Sequence, residues 1–133
     1  MVRRRVSDGG RQAFGYESEK NDCSVVALSH ALDITYEEAY KMLDGAGRRK
    51  NKGWYTIEFF QYCGFNGWKH ETTKFARGER PTEMEFAESH PKGRFLVYTE
   101  GHLIAVVDGV IHDNRPHPAR AKVQYAWKMI KTA

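Results

Sequence analysis

The spacing of hydrophobic positions along the chain changes character near Gly93. Before it, apolar residues recur at the three- and four-residue intervals of amphipathic helices; after it, they form short runs rich in β-branched and aromatic residues. Helices are predicted for CSVVALSHAL, DITYEEAYKMLDGAG, TIEFFQYCGF and PTEMEFAESHPKG, and strands for RFLVYT, HLIAVV, VIHD and VQYAW. Helices followed by an antiparallel sheet predict an α+β domain.

Two of these helices carry a clear start signal. Thr35 with Glu38, and Thr82 with Glu85, have the spacing of a capping box, in which each side chain bonds the backbone N–H of the other residue. Gly45 is a natural stop for the second helix. The boundaries of these two helices are therefore predicted by local hydrogen bonding as well as by periodicity.

The pair Asp108–Gly109 between two valines predicts a tight hairpin. A two-residue turn pairs Val107 with Val110, and because faces alternate along a strand, His102 and Asp113 then share one face as diagonal neighbours. Such neighbours are close enough for a carboxylate–imidazole hydrogen bond. A register slip of one residue would instead bring Asn114 to the histidine, and an asparagine can also orient a catalytic imidazole.

Composition places the chain among folded single-domain proteins. The chain has 133 residues, of which 41% are hydrophobic, and this is enough for a packed core. We therefore expect residues 1–133 to form a single domain. The chain lacks an apolar run of the roughly 20 residues that span a bilayer, and no apolar segment of a signal peptide follows the basic N-terminus. Two cysteines are too few for a secreted disulfide framework, so we expect a cytoplasmic protein without a membrane partner.

The formal charge of +4 lies largely in short basic clusters. Residues 1–10 combine RRR with two glycines, and we expect a mobile basic arm there. A second cluster, with Arg48, Arg49 and Lys50, could attract an acidic protein partner. No cluster is interleaved with aromatic residues and no zinc-ligand spacing occurs, so the sequence predicts neither a nucleic-acid partner nor a metal site.

Cys23 is the first residue of the first predicted helix, and Asn21 or Asp22 can serve as its N-cap. A cysteine on an apolar helix is usually a small core residue, but a helix start also suits a nucleophile. A free thiol, with a pKa of about 8.5, needs a base to become a thiolate, and a third polar group must orient that base. His102 and Asp113 are the candidates for these two roles.

These segments together resemble the papain-like cysteine peptidase fold. The resemblance rests on NDCSVVALSHALDITYEEAYKML, on GRFLVYTEGHLIAVVDGVIHD and on the helical middle between them. Within that fold the chain is similar to small single-domain proteins related to the bacteriocin-processing C39 peptidases, including phage-encoded ones. The resemblance implies Cys23 as nucleophile, His102 as general base and later acid, Asp113 as the orienting group, and no cofactor.

One position departs from the papain-like pattern. These enzymes usually place a glutamine about six residues before the nucleophile to support the oxyanion hole, whereas this chain has Glu17, whose carboxylate would oppose an oxyanion. Asn21 is the replacement amide donor that we expect, and Gln12 is a more distant one.

The leading hypothesis is a thiol hydrolase that cleaves an amide or isopeptide bond of a protein or peptide substrate through a thioester. Its substrate groove would be shaped by the segment AGRRKNKGWY and by residues 72–80. A cell-wall amidase of the NlpC/P60 type shares the Asp-Cys-Ser and Gly-His motifs, but usually has glycine where this chain has Val25, and acts outside the cytoplasm. The same residues would also suit an acyl transferase with this triad, or a papain-like module, catalytically weak or inactive, that binds a host or partner protein.

Overall fold

The computed structural model of the protein describes residues 3–13, 15, 22–45, 68–99, 101–114 and 120–131. In these residues three helices and six strands form an α+β arrangement, as predicted. The elements in chain order are β1 (Arg3–Val6), α1 (Cys23–Leu32), α2 (Tyr36–Gly45), β2 (Trp68–Lys74), α3 (Glu83–Ser89), β3 (Arg94–Thr99), β4 (His102–Val107), β5 (Val110–Asp113) and β6 (Tyr125–Lys131).

Several predictions concern residues outside these ranges. They are the helix TIEFFQYCGF, the basic loop with Arg48, Arg49 and Lys50, and the oxyanion-hole positions Glu17 and Asn21. These predictions lie outside the described residues.

The six strands form one sheet in the order β1-β5-β4-β3-β6-β2. The pairs β2–β6, β3–β6, β3–β4 and β4–β5 are antiparallel, but β1 runs parallel to β5. The prediction of a purely antiparallel sheet is therefore wrong, and the sheet is mixed. Arg3–Val6, which lie in the arm over residues 1–10 that we expect to be mobile, pair with Val110–Asp113, and two buried carboxylates contact the side chain of Arg4.

Strand β2 was not predicted from the sequence. It pairs with β6 from Trp68 opposite Lys131 to Lys74 opposite Tyr125, at the edge of the sheet. Every residue after Trp68 in this strand is exposed. An edge strand that is exposed on both faces lacks the alternation of polar and apolar residues that marks a half-buried strand, so the sequence pattern gave no signal.

Two apolar clusters lie on opposite faces of the sheet, as alternating residues of β3 show. Leu96 packs with α1 and α2, whereas Phe95 and Val97 pack with Phe86 of α3. Helix α1 is buried along almost its whole length, with every residue except Cys23 and His30 shielded from solvent. The buried helix fixes the position of its first residue, Cys23, relative to the sheet.

The predicted local signals are confirmed at two helix starts. Thr35 Oγ1 accepts from the Glu38 N–H at 3.0 Å and Glu38 Oε1 accepts from the Thr35 N–H at 3.1 Å. Thr82 and Glu85 make the same reciprocal pair at the start of α3, with distances of 3.0 and 2.9 Å. No helix in the described part of the chain is both long and apolar enough to cross a membrane.

The predicted hairpin register is confirmed as well. Val107 pairs with Val110 across a two-residue turn, and Ala105 pairs with His112. Asp108 and Gly109 both have positive φ values, 49° and 78°, as the tightest hairpin turns require. This register places His102, the first residue of β4, and Asp113, the last residue of β5, as diagonal neighbours on one face.

Candidate active site

His102 and Asp113 form a buried hydrogen-bonded pair. The imidazole Nε2 lies 2.6 Å from Asp113 Oδ1, and each residue is only 1% exposed. Asn114, which a slipped register would have placed against the histidine, turns its side chain away and donates from Nδ2 to Asp22. Its backbone N–H donates instead to Asp113 Oδ1 at 2.8 Å, so Asn114 helps to hold the carboxylate that bonds the imidazole.

Cys23 is the first residue of α1 and is half-buried. Its side chain hydrogen-bonds to the imidazole of His102. Because Nε2 of that ring bonds Asp113, Nδ1 is the nitrogen left to face the thiol. Cys23, His102 and Asp113 therefore form one hydrogen-bonded row, which runs from the start of α1 to the end of β5.

The row changes the acid–base behaviour of the imidazole. Burial alone would lower the pKa of His102, because a buried cation loses its hydration. The hydrogen bonds with Asp113 and Cys23, and the negative charge on both groups, outweigh burial and raise this pKa from 6.5 to about 9. A raised pKa favours the imidazolium form of His102 beside the sulfur of Cys23, and an adjacent cation in turn favours a thiolate.

Asp22 occupies the N-cap position of α1, but its side chain makes no capping bond. The buried carboxylate instead accepts from Tyr36 Oη at 3.0 Å and from Asn114 Nδ2 at 3.2 Å, and it lies 3.3 Å from Arg11 Nη1. Asp22 thereby ties the residue before Cys23 to α2 and to the end of β5. These contacts differ from those of a helix cap, which is all that its place in the sequence suggests.

Arg4 is the second group whose role the sequence does not indicate. Its Nη1 lies 2.7 Å from Asp113 Oδ2 and its Nη2 bonds Glu83 Oε1, while Thr99 Oγ1 donates to the other oxygen of Glu83 at 3.1 Å. The side chains of both acidic partners are fully buried. Nothing in the basic stretch RRR marks one arginine as buried, and Glu83 is indistinguishable by sequence from an ordinary acidic residue in a first helical turn.

Two other histidines lie apart from this row. The rings of His30 and His112 stack with their centroids 4.4 Å apart. Burial, followed by the positive charges of His30, Arg5 and Arg94, lowers the pKa of His112 to about 4. His30 and His112 both line a cavity of about 470 Å³, whose wall also includes Ser7 and Ile34.

The remaining candidates lie outside the row. Gln12, the more distant candidate for an oxyanion donor, has an exposed side chain, and its backbone N–H donates to Asp8.

Within the described ranges, no three His, Cys, Asp or Glu side chains gather into a group that could hold a metal ion.

The chain matches no protein-family model, no curated protein and no solved structure. The papain-like resemblance therefore rests on the residues themselves, and its functional implications stay predictions.

Proposed function

We propose that the protein is a cysteine-dependent hydrolase of papain-like, C39-related type that cleaves an amide or isopeptide bond of a protein or peptide substrate. The observation that supports this most directly is that the imidazole of His102 hydrogen-bonds to both other residues. Its Nε2 bonds Asp113, and the ring also bonds the side chain of Cys23. A thiol, a base and an orienting carboxylate in this order are the parts that nucleophilic catalysis requires.

In the first half of the proposed reaction the Cys23 thiolate attacks the carbonyl carbon of the substrate. The new C–S bond pushes the carbonyl π electrons onto oxygen, and when this oxyanion collapses the C–N bond breaks. His102 gives its proton to the departing nitrogen, which leaves as an amine. The products of this half are a thioester on Cys23, the free amine and a neutral imidazole.

In the second half water attacks the thioester while the neutral imidazole takes one of its protons. The tetrahedral intermediate expels the thiolate and releases a carboxylic acid, which restores the thiolate–imidazolium pair. Asp113 stays ionised throughout and fixes the ring orientation. No step needs a cofactor, and an amine in place of water would make the same row an acyl transferase.

The backbone amides in the first turn of α1 are the donors that would stabilise the oxyanion. The side chain of Asp22 does not cap them, and the first N–H groups of a helix have no partner within it. The N–H of Cys23 itself is one of these donors. We expect Asn21 to supply the side-chain amide that a papain-like enzyme takes from glutamine, since Glu17 cannot donate when ionised.

A second candidate function is a non-enzymatic papain-like module that binds a host or partner protein. It is favoured by Glu17 at the position where papain-like enzymes carry glutamine. An acidic partner would be recognised by Arg48, Arg49 and Lys50, and charge reversal at these three positions would then abolish binding. Replacement of Cys23 by alanine would leave such a function intact.

The test is to trap the thioester. We expect wild-type protein mixed with an activated peptide ester to gain the mass of the acyl group on Cys23, and hydroxylamine to remove it. A panel of quenched fluorescent peptides and isopeptides, searched in parallel, should reveal turnover. Cys23→Ala should abolish both signals while the circular dichroism spectrum is unchanged. Acylation that persists in Cys23→Ala would overturn the proposal.

A further inference from the structure

We propose that Arg4, clamped between the buried carboxylates of Asp113 and Glu83, is a positioning residue that sets the charge balance of the Cys23–His102–Asp113 row. The inference rests on the proposed function and adds strand β1 to the active site. Arg4 of β1 and Glu83 of α3 would together influence the pH at which the thiol of Cys23 ionises.

The geometry of the clamp is that of a fork. The two terminal nitrogens of Arg4 contact different carboxylates, Nη1 at Asp113 Oδ2 and Nη2 at Glu83 Oε1. The remaining oxygens are also occupied, since Asp113 Oδ1 accepts from Asn114 and bonds His102, and Glu83 Oε2 accepts from Thr99. The carboxylate of Asp113 is therefore held from both sides and cannot rotate away from the imidazole.

The clamp is also the charge compensation for two buried anions. Both carboxylate side chains are fully buried, and that of Arg4 is only 18% exposed. Burying a carboxylate costs free energy unless a cation or hydrogen-bond donors compensate its charge. The planar guanidinium has two terminal nitrogens and can bond two carboxylates at once. The ammonium of a lysine has its charge on a single nitrogen and cannot reproduce this geometry.

Charges alternate along the extended chain of contacts: Glu83 negative, Arg4 positive, Asp113 negative, His102 positive and Cys23 negative. Loss of the positive charge at Arg4 makes the surroundings of the thiolate more negative, so a higher pH is needed to form it. Loss of the negative charge at Glu83 acts in the opposite direction.

One other ion pair of the described residues, Arg11 with Asp22, lies at the start of α1 next to the row. The buried carboxylate of Asp22 lies beyond Asn114 and has its own cation, Arg11. Thr99, which is paired with His102 across β3 and β4, is uncharged. The substitutions at Arg4 and Glu83 leave all of these groups in place, so they change the field on the row by one charge at a time.

The test is the rate of iodoacetamide alkylation at Cys23 as a function of pH, read by mass spectrometry. For Arg4→Gln we expect the midpoint of the acidic limb to rise by about one pH unit, because one positive charge is lost from the surroundings of the thiolate. For Glu83→Gln we expect a smaller fall, because Glu83 is one contact further from Cys23 than Arg4 is. Arg4→Lys keeps the charge and should shift the midpoint by less than half as much as Arg4→Gln.

Arg5→Gln is the matched control. Arg5 is the next residue of β1, is exposed, and pairs with His112 on the other side of the strand, so the same loss of charge should leave the profile unchanged. Thermal unfolding checks that each variant is folded. If Arg4→Gln does not fold, Glu83→Gln and Arg4→Lys still test the proposal.

The outcomes separate the two proposals. A wild-type profile with an acidic limb below pH 7, unchanged in folded Glu83→Gln and in every folded Arg4 variant, overturns the role of Arg4 and leaves the proposed function standing. A wild-type Cys23 that reacts only near pH 8.5 overturns the proposed function and this inference with it. Opposite shifts in Arg4→Gln and Glu83→Gln support both, because a purely structural role would lower stability in each without opposite effects on the thiol.

Discussion

His102 Nε2 and Asp113 Oδ1 lie 2.6 Å apart although eleven positions separate the two residues in the sequence. The contact follows from the two-residue turn at Asp108–Gly109, which sets the register of β4 and β5. A turn with one more residue would place the carboxylate on the opposite face of the sheet. The geometry of the candidate active site therefore depends on a turn at the far end of the same hairpin.

Gly109→Ala should weaken this hairpin. The φ of Gly109 is +78°, and an added Cβ would lie 3.4 Å from Pro91 Cα and 3.5 Å from the carbonyl oxygen of Ala87. We expect the free energy of unfolding to fall by roughly 1–2 kcal/mol in urea titrations, because alanine rarely adopts this conformation.

Gly78→Ala is the matched control for that substitution. The conformation of Gly78 is not in the positive-φ range, and nothing lies within 4 Å of a Cβ at this position. Its free energy of unfolding should stay within about 0.5 kcal/mol of the wild-type value. Equal effects of the two substitutions would contradict the role of the turn.

Asp113→Asn should lower the pKa of His102 from about 9 toward its ordinary value of 6.5. The amide keeps the shape of the carboxylate and one acceptor oxygen, but it removes the negative charge that favours the imidazolium. An NMR titration of the ring protons of His102 measures the change directly. A pKa that stays near 9 in this variant would show that Asp113 is not what raises it.

Tyr36→Phe should destabilise the start of α1. The hydroxyl of Tyr36 donates to the buried carboxylate of Asp22 at 3.0 Å, and its loss leaves part of the hydrogen-bonding capacity of that carboxylate unmet. We expect a loss of about 1–3 kcal/mol in the free energy of unfolding. The same change at Tyr98, a half-buried residue of β3, is the control and should cost less.

The stacked pair His30 and His112 should make the fold sensitive to acid. The pKa of His112 is about 4 in the folded protein and 6.5 in the unfolded chain, so between these values the unfolded chain binds a proton that the folded protein does not. The contribution of His112 to stability is complete above pH 6.5 and is lost as the pH falls toward 4. The free energy of unfolding, measured by denaturant titration, should therefore fall less between pH 7 and pH 4.5 in His112→Phe than in wild type, by about 1–2 kcal/mol. An equal fall in the two proteins would contradict this prediction.

Sequence patterns predicted the parts of the molecule in which partners are close along the chain. The Asp108–Gly109 turn, the two capping boxes and the amphipathic helices are all local signals, and through the turn the sequence also predicted that His102 and Asp113 share a face. The roles of Arg4 and Glu83 could not be predicted in this way. Arg4 contacts groups 79 and 109 positions away, and the polar run RRRV lacks the alternation that marks a buried strand.

The polar edge strand β2 was not predicted either, because its sequence also lacks the alternation of polar and apolar residues. Its residues after Trp68 are exposed, and its place in the sheet depends on hydrogen bonds to β6 rather than on burial of its side chains. Asp22 shows the same limit at the site itself. Its position before a helix suggested a cap, whereas its actual partners, Tyr36 and Asn114, come from two other elements.

The central claim is that Cys23 and His102 form a thiolate–imidazolium pair, and the most direct measurement is the pH dependence of iodoacetamide alkylation at Cys23 in wild type and in His102→Ala. The chain has one other cysteine, Cys63, and its labelling in the same sample provides an internal comparison of thiol reactivity. We predict rapid labelling of wild-type Cys23 below pH 7 and at least a tenfold loss at pH 6.5 in His102→Ala, because a thiol with an ordinary pKa of about 8.5 is almost fully protonated there. Labelling of wild-type Cys23 that rises only near pH 8.5 and is the same in His102→Ala would contradict the claim.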